Sequence, residues 1–497
     1  MRYHPRSIIG LTLAAFLAVI LTDSIGTVRA RTTSDQDGPT PRRPNVILII
    51  ADDHRADHLG CAGHDEIDTS AIDSLAARGA RFDRAYCQGS TSPAVCLPSR
   101  SRLISGRNDW TTPNWQRAHG CADFPLWPEV LRSEGWRTHH IGKWHCGRAW
   151  FDRCFEDGSS VHFGGMGSHR TLPVVEVKAD GTETRRPLTK YSSDEFADAA
   201  VEYIDRCASD DDDRPFVLSL SFTAPHDPRT PPDGPSVIDA RAARIKLPPN
   251  VLPVHPFDNG EMTIRDEELL SWPRRPEELR EEIARYDLMI ENMDAGIGRV
   301  LAALDSHGLT DNTVIVFAGD HGLALGSHGL LGKQNLYEHS MWSPLIVVGP
   351  GFPAGTIRDD FTYLYDVPAT ILAAAGVAIP DSMDGLDLHL DTGREDVLTR
   401  YRQIQRAWRD DRWKVIWYSP IDRWQVFDLL ADPEETVDLA RDPANTGLVA
   451  DLRRRLQAAR RENQDTEDLL VDQPKAERFD AAAAETSRLA KRHWRRP

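Results

Sequence analysis

Positive charge is what this chain of 497 residues most plainly lacks: 59 lysines and arginines stand against 76 aspartates and glutamates, a net charge of −17. General nucleic-acid binding, which depends on clustered positive charge, is excluded on that ground. An anionic ligand needs a local cationic pocket, because the field of the whole molecule repels it. Cysteine is scarce as well. The seven residues Cys61, Cys87, Cys96, Cys121, Cys146, Cys154 and Cys207 show no zinc-site spacing. Internal repeats and low-complexity tracts are missing, and 40% apolar with 27% charged residues is ordinary for a globular protein. Long apolar runs are missing too. The run at residues 8–21 is shorter than the ~20 residues that span a bilayer, which argues against a stable membrane anchor.

That run does have a reading. Arg2, His4 and Arg6 precede it, and Val28-Arg29-Ala30 puts small residues where a signal peptidase reads. Residues 1–30 are therefore expected to be a secretory signal peptide, with export to the periplasm or the cell exterior. No cysteine stands close behind the run, which argues against a lipoprotein. Residues 31–43, rich in Thr, Asp and Pro, read as a flexible lead-in.

After Pro44 comes Asn45-Val46-Ile47-Leu48-Ile49-Ile50-Ala51, ending in Asp52-Asp53, and apolar runs of the same kind recur at 216–222, 313–318 and 345–348. Such runs suit strands covered on both faces of a parallel sheet. Helical patterns at 69–79, 126–135, 193–207 and 280–307 lie between them. The alternation predicts an α/β fold, a large α/β/α sandwich around a mainly parallel central sheet, over residues 44–390. Ligands of such sheets bind beyond the carboxyl ends of the strands, where Asp52-Asp53 and Asp320-His321 fall. Past Asp384-Gly385 the pattern changes: 412–418 and 424–429 alternate as strands, and a charged helix begins near Leu448. A smaller C-terminal α+β domain, with an antiparallel sheet and a packed helix, is expected over 391–497, its last segment from about Gln473 docking loosely.

Adjacent acids at a strand end repel each other unless a cation lies between them. Asp52-Asp53 alone reads as a cap or turn. With Asp320-His321 at the end of a second buried strand, a divalent metal becomes the better account.

The most telling string is Cys96-Leu97-Pro98-Ser99-Arg100, followed by Leu103 and Ser105-Gly106. It resembles the signature of the type I, formylglycine-dependent sulfatases of the alkaline phosphatase-like superfamily, with Ser105 where the family usually has Thr. The resemblance implies that Cys96 is oxidised to Cα-formylglycine by a maturation enzyme. It also implies that Asp52, Asp53, Asp320, His321 and an oxygen at position 96 hold one Ca2+ per chain. Hard oxygen ligands suit calcium. Imidazole at 321, where many members have Asn, also suits manganese, iron or zinc. With Cys96 set aside, six cysteines remain, compatible with disulfides of undetermined pairing or with free thiols.

Three further strings match the family. Gly332-Lys333 implies a lysine on the sulfate and the leaving oxygen. Gly142-Lys143-Trp144-His145 implies a sulfate-binding Lys143 and a His145 that deprotonates the second hydroxyl. Pro225-His226-Asp227-Pro228 implies a His226 that holds sulfate and protonates the leaving group. Arg100 would support the position-96 and metal shell. The resemblance spans roughly 44–440 and implies hydrolysis of a sulfate monoester on a carbohydrate. Two alternatives are a phosphonate monoester hydrolase or phosphodiesterase of the same superfamily, and a binding protein in which Cys96 stays a thiol. Trp110, Trp115 and Trp127 could form a sugar platform or simply pack. The loops after Gly158 and over 231–272 are expected to shape the specificity pocket.

Overall fold

Residues 45–51 carry no polar side chain after Asn45 that could mark a wet face, and the strand they form is buried along its whole length. In this computed structural model, residues 42–110, 124–469 and 473–494 are described. The expected signal peptide, most of the lead-in, Trp115 and Cys121 lie outside the described residues.

The strands in chain order begin with β1 (Asn45–Ala51), β2 (Ala80–Phe82), β3 (Ala85–Tyr86), β4 (Gly89–Ser90), β5 (Arg137–Lys143) and β6 (Asp157–His162). They continue with β7 (Pro173–Val177), β8 (Glu183–Pro187), β9 (Phe216–Ser221), β10 (Thr313–Gly319), β11 (Leu345–Val348) and β12 (Thr356–Arg358). The last are β13 (Thr362–Tyr363), β14 (Val397–Tyr401), β15 (Gln405–Arg409), β16 (Trp413–Tyr418) and β17 (Arg423–Asp428). Five helices matter to the argument: α1 (Ser70–Arg78), α2 (Cys96–Ser105), α3 (Ser192–Ser209), α4 (Pro276–Ser306) and α5 (Thr446–Glu462).

A 10-stranded sheet runs in the order β12-β2-β11-β10-β1-β9-β5-β6-β7-β8. Its centre is parallel, from β10 through β1, β9 and β5 to β6. Antiparallel pairings flank that centre, at β11 on one side and at β7 and β8 on the other. The sheet is thus mixed, parallel through its five central strands and antiparallel on either side of them. β8 (Glu-Thr-Arg-Arg-Pro) is a largely exposed outer strand with no apolar face, so hydrophobic pattern does not reveal it. Alternation along β1 serves both layers. Val46, Leu48 and Ile50 join Trp127, Trp136 and Ile371 on one face, while Ile47 and Ile49 join Ile72, Phe196, Met293 and Ile297 on the other. Two covered faces explain why the run is continuous rather than alternating.

A 5-stranded sheet, β17-β16-β15-β14-β4, forms the smaller unit, with Leu452 and Leu456 of α5 packed on Trp408, Val415 and Val426. Its four long strands are antiparallel. The edge strand β4 comes from far upstream and pairs parallel with β14, which ties this sheet to the segment leading into Cys96. Gly89 makes that pairing possible: its φ is 93°, and a Cβ there would lie 1.8 Å from the Arg400 carbonyl oxygen. The tail is held more firmly than expected. Lys475 N–H donates to the Pro420 carbonyl, Phe479 packs on Trp272, and Glu485 accepts the Trp272 N–H.

Candidate active site

Parallel register brings the strand ends level: Ala51 lies beside Gly319, Ile50 beside Ser221, and Gly142 beside Ser221. Asp52-Asp53, Asp320-His321, the segment to His226 and Lys143 therefore emerge at one edge, where open α/β sheets bind ligands. Asp53 adopts φ 65°, a left-handed conformation uncommon outside glycine and concentrated at functional sites. Its N–H donates to Asp320 Oδ1 at 3.0 Å, and its carbonyl accepts the Tyr286 hydroxyl at 2.6 Å. Tyr286 in turn accepts the Arg55 N–H at 2.8 Å. Nothing in the sequence marks Tyr286, an aromatic inside the long helix α4.

Cys96 opens α2. Its Sγ lies 3.1 Å from Lys333 Nζ, 3.2 Å from His321 Nε2 and 3.6 Å from Asp53 Oδ1. One turn on, Ser99 Oγ donates to the Asp320 carbonyl at 2.6 Å. Arg100 reaches Asp320 Oδ2 at 3.0 Å and the Lys143 carbonyl at 3.0 Å, with Nη2 3.6 Å from Asp52 Oδ1. Lys333 Nζ is shared by both Asp53 oxygens at 2.7 and 2.9 Å. Lys143 Nζ is wholly buried and donates to Asp52 Oδ2 at 2.5 Å. Beside Lys143 the register of β5 against β6 shifts, with the extra residue on β6. Gly142 has φ 87°, and a Cβ on it would lie 2.0 Å from the Ser221 carbonyl oxygen.

The residues expected from the sequence to be catalytic or to hold the metal all enter this cluster or its wall. Cys96, His145, His226 and Lys333 line a cavity of about 320 Å³, joined by Gly165, Met166, Ile264, Arg265, Asp266 and Gln334. Lys143, Arg100, Asp52, Asp53, Asp320 and His321 lie behind it. The expected loops do supply walls, Gly165-Met166 from one and Ile264 to Asp266 from the other. Arg265 grips Asp227 through both guanidinium nitrogens, at 2.5 and 2.9 Å. Trp110 and Trp127 are core residues, not a sugar platform, because helix and sheet packing claims their rings. The six described cysteines are all free thiols.

The charges interlock. Burial pushes Asp52 up, but Lys143, His226, Arg100 and Lys333 outweigh it and hold the carboxyl well below its usual range. Asp53 is likewise lowered, burial being overcome by His226, Lys333 and His321. For Asp320 burial wins and raises it. Burial also raises the Cys96 thiol, despite Lys143 and Lys333. His145 is pushed down to about 2 by burial and by the Lys143 and Arg100 cations, so it stands neutral at physiological pH. Its φ is 64° and its Nδ1 is buried without a hydrogen-bond partner. His226 goes the other way: against burial, Asp53 lifts it to about 9.

The donor set suits a hard divalent cation. Three carboxylates and one imidazole meet, with His321 Nε2 3.3 Å from Asp53 Oδ1 and 3.6 Å from Asp320 Oδ1. Neighbouring ligands about 3.3 Å apart fit an ion that holds oxygens at about 2.3–2.6 Å. Asp52 Oδ1 is buried with no hydrogen-bond partner, a group that a cation would satisfy. Asp52, Asp53, Asp320 and His321 are the residues able to hold it.

Comparison with known proteins follows the same lines. The sulfatase family model matches residues 44–377, and the model for the C-terminal part of N-sulphoglucosamine sulphohydrolase matches 326–462. An arylsulfatase of Clostridium perfringens is 26% identical over 450 residues, covering 80% of this chain and 90% of that protein. An N-acetylglucosamine-6-O-sulfatase of Bacteroides thetaiotaomicron is 25% identical over 479 residues, covering 79% and 82%. Among solved structures, a complex with D-glucosamine-2-N,6-O-disulfate superposes with TM-score 0.69 at 22% identity, over 86% of this chain and 99% of that one. A phosphonate monoester hydrolase from Silicibacter pomeroyi shares the fold, with TM-score 0.65 at 21% identity over 85% and 96%.

Proposed function

This chain belongs to the sulfatase family of the alkaline phosphatase-like superfamily and is a sulfuric ester hydrolase, and from that premise we propose that it is exported and cleaves a sulfate monoester on a carbohydrate. The observation that carries the reading is the convergence of Lys333, His321 and Asp53 on Cys96 Sγ at the floor of the cavity. That sulfur marks the position of the formylglycine oxygens. The hydrated aldehyde, once formed there, supplies one hydroxyl to attack sulfur and a second to expel sulfate as the carbonyl re-forms. A divalent cation held by Asp52, Asp53, Asp320 and His321 would share the charge of the sulfate oxygens.

The remaining steps fall to the chain's own side chains. Lys333, at the cavity wall, meets the sulfate and steadies negative charge on the leaving oxygen, the electrostatic role with the largest effect in such sites. His226, on the cavity wall with Nε2 3.8 Å from Asp53 Oδ2, gives its proton to the departing alcohol. His145, held neutral with a free Nδ1, accepts a proton from the second hydroxyl. Lys143 would touch sulfate only by leaving Asp52, so its first effect is to keep that carboxylate ionised and in place. Arg100 links Asp52, Asp320 and the end of β5. A sugar ring would meet Met166, Ile264 and Arg265 on the outer wall.

The test is sulfate release from an aryl sulfate by protein produced together with a formylglycine-generating enzyme. Cys96→Ala should abolish turnover with an unchanged circular dichroism spectrum; near-wild-type release by that variant would sink the mechanism. Aryl phosphonates and phosphodiesters run in parallel separate the neighbouring activity, which wins if they turn over faster than the sulfate.

A further inference from the structure

On the outer side of the loop that carries Asp53 lies a second group of metal-binding side chains. His58, His64 and Asp287 each offer a donor atom, and these atoms lie within 4.8 Å of one another. His58 Nδ1 is 2.9 Å from Asp287 Oδ1, and the two imidazole rings stand 4.7 Å apart. Asp287, on α4, is completely buried. Its second oxygen, Oδ2, has no hydrogen-bond partner, and among the described residues no lysine or arginine is ion-paired with it. Arg55, the arginine on the same loop, is paired with Asp57 instead. Apart from the two imidazoles no cation faces this carboxylate among the described residues, and buried carboxylates in native proteins are paired or bind metal.

We infer that His58, His64 and Asp287 form a second divalent-metal site, separate from the carboxylate-rich centre at Asp52 and Asp53. Two imidazoles and one carboxylate are the donor set of zinc, cobalt(II) or nickel(II). They are too few and too nitrogen-rich for calcium, which takes six to eight oxygens. His64 is only half buried, which gives the ion an entry path and leaves a coordination position open to water. The site joins the loop after Asp53 to α4, one residue from Tyr286, whose hydroxyl holds the Asp53 carbonyl and whose ring packs edge-on against His58 at 5.2 Å. An ion there staples the loop behind the catalytic acids without touching substrate.

The test uses tag-free, metal-stripped full-length protein bearing Asp53→Asn and Cys96→Ala, which leave fewer than three donors in each group at the catalytic centre, titrated with Co2+ and read by its visible absorption. One equivalent should bind, with the spectrum of a nitrogen-ligated, low-coordinate ion. Adding His64→Ala, which removes a half-exposed ligand and leaves the core untouched, should weaken binding by about 100-fold or more. Zn2+ should displace the Co2+, whereas excess Ca2+ should not. Absence of the absorption in the Asp53→Asn, Cys96→Ala protein, or unchanged Co2+ affinity when His64→Ala is added to it, overturns the assignment.

Discussion

Replacing Tyr286 with Phe removes one oxygen atom from the interior and keeps the ring. That oxygen has two partners: it donates to the Asp53 carbonyl at 2.6 Å and accepts the Arg55 N–H at 2.8 Å. The residue is fully buried, so water does not take over either bond. A buried polar group left unsatisfied costs about 1–3 kcal/mol, and two such groups with partial relaxation give about 2–4 kcal/mol. A melting entropy of about 2.1 cal/mol/K per residue converts this to a fall in Tm of about 2–4 °C for a chain of this length. Part of the loss falls on Asp53, whose left-handed backbone the hydroxyl secures. Each 1.4 kcal/mol carried into the transition state is a factor of about ten, so kcat for an aryl sulfate should drop about three- to tenfold. KM should hardly move, because Tyr286 is not a cavity wall. Differential scanning calorimetry and steady-state kinetics on Tyr286→Phe measure both. A variant with wild-type Tm and wild-type kcat would refute the reasoning that this hydroxyl positions Asp53.

Lys333→Ala removes the cation nearest Cys96 and should lower kcat by about 10²–10³, the range for deleting one donor to developing negative charge; single-turnover sulfate release reads this, and a loss under tenfold contradicts the role. Gly165→Ala places a Cβ 2.7 Å from His145 Nε2 and should cut kcat about tenfold by displacing that ring, with Tm within about a degree of wild type; unchanged kcat would show that His145 need not sit there. Asp294, raised to about 6 by burial despite accepting the Ala71 and Ile72 N–H groups, binds more protons folded than unfolded between roughly pH 4 and 6. Its contribution to stability is therefore present at the acid end and lost as pH rises through 6. Relative to Asp294→Asn, wild type should lose about 2 kcal/mol of unfolding free energy between pH 4.5 and 6.5, and a pH-independent difference in urea unfolding would reject this.

Legibility in the sequence followed a physical division. Asp52-Asp53 and Asp320-His321 are legible because each ends an apolar run, where strand register brings it to the site edge, whereas Cys96 to Arg100, Lys143, His226 and Lys333 are legible only through short contiguous strings that match the family. The α/β architecture was equally plain, since β1, β9 and β10 are buried on both faces and show it in every residue. Tyr286 is not legible, because a hydroxyl that braces a backbone carbonyl looks in sequence like any other helix residue. The cavity wall at Met166, Ile264 and Arg265 could be assigned to loops but not to residues, since long-range loop packing sets it. The two-residue strand β4 joined the smaller sheet through backbone pairing alone, which leaves no hydrophobic pattern to read. The Asp287 site needed two segments far apart in sequence, and only folding brings them together.

The most direct test of the central claim pairs two readings on one sample: the mass of the proteolytic peptide containing residue 96, and sulfate released from an aryl sulfate. Protein made with and without a formylglycine-generating enzyme should show release that rises in proportion to the fraction carrying an aldehyde at position 96. Sulfate release from protein whose residue 96 is entirely thiol, or no release from protein whose residue 96 is entirely aldehyde, would contradict the account.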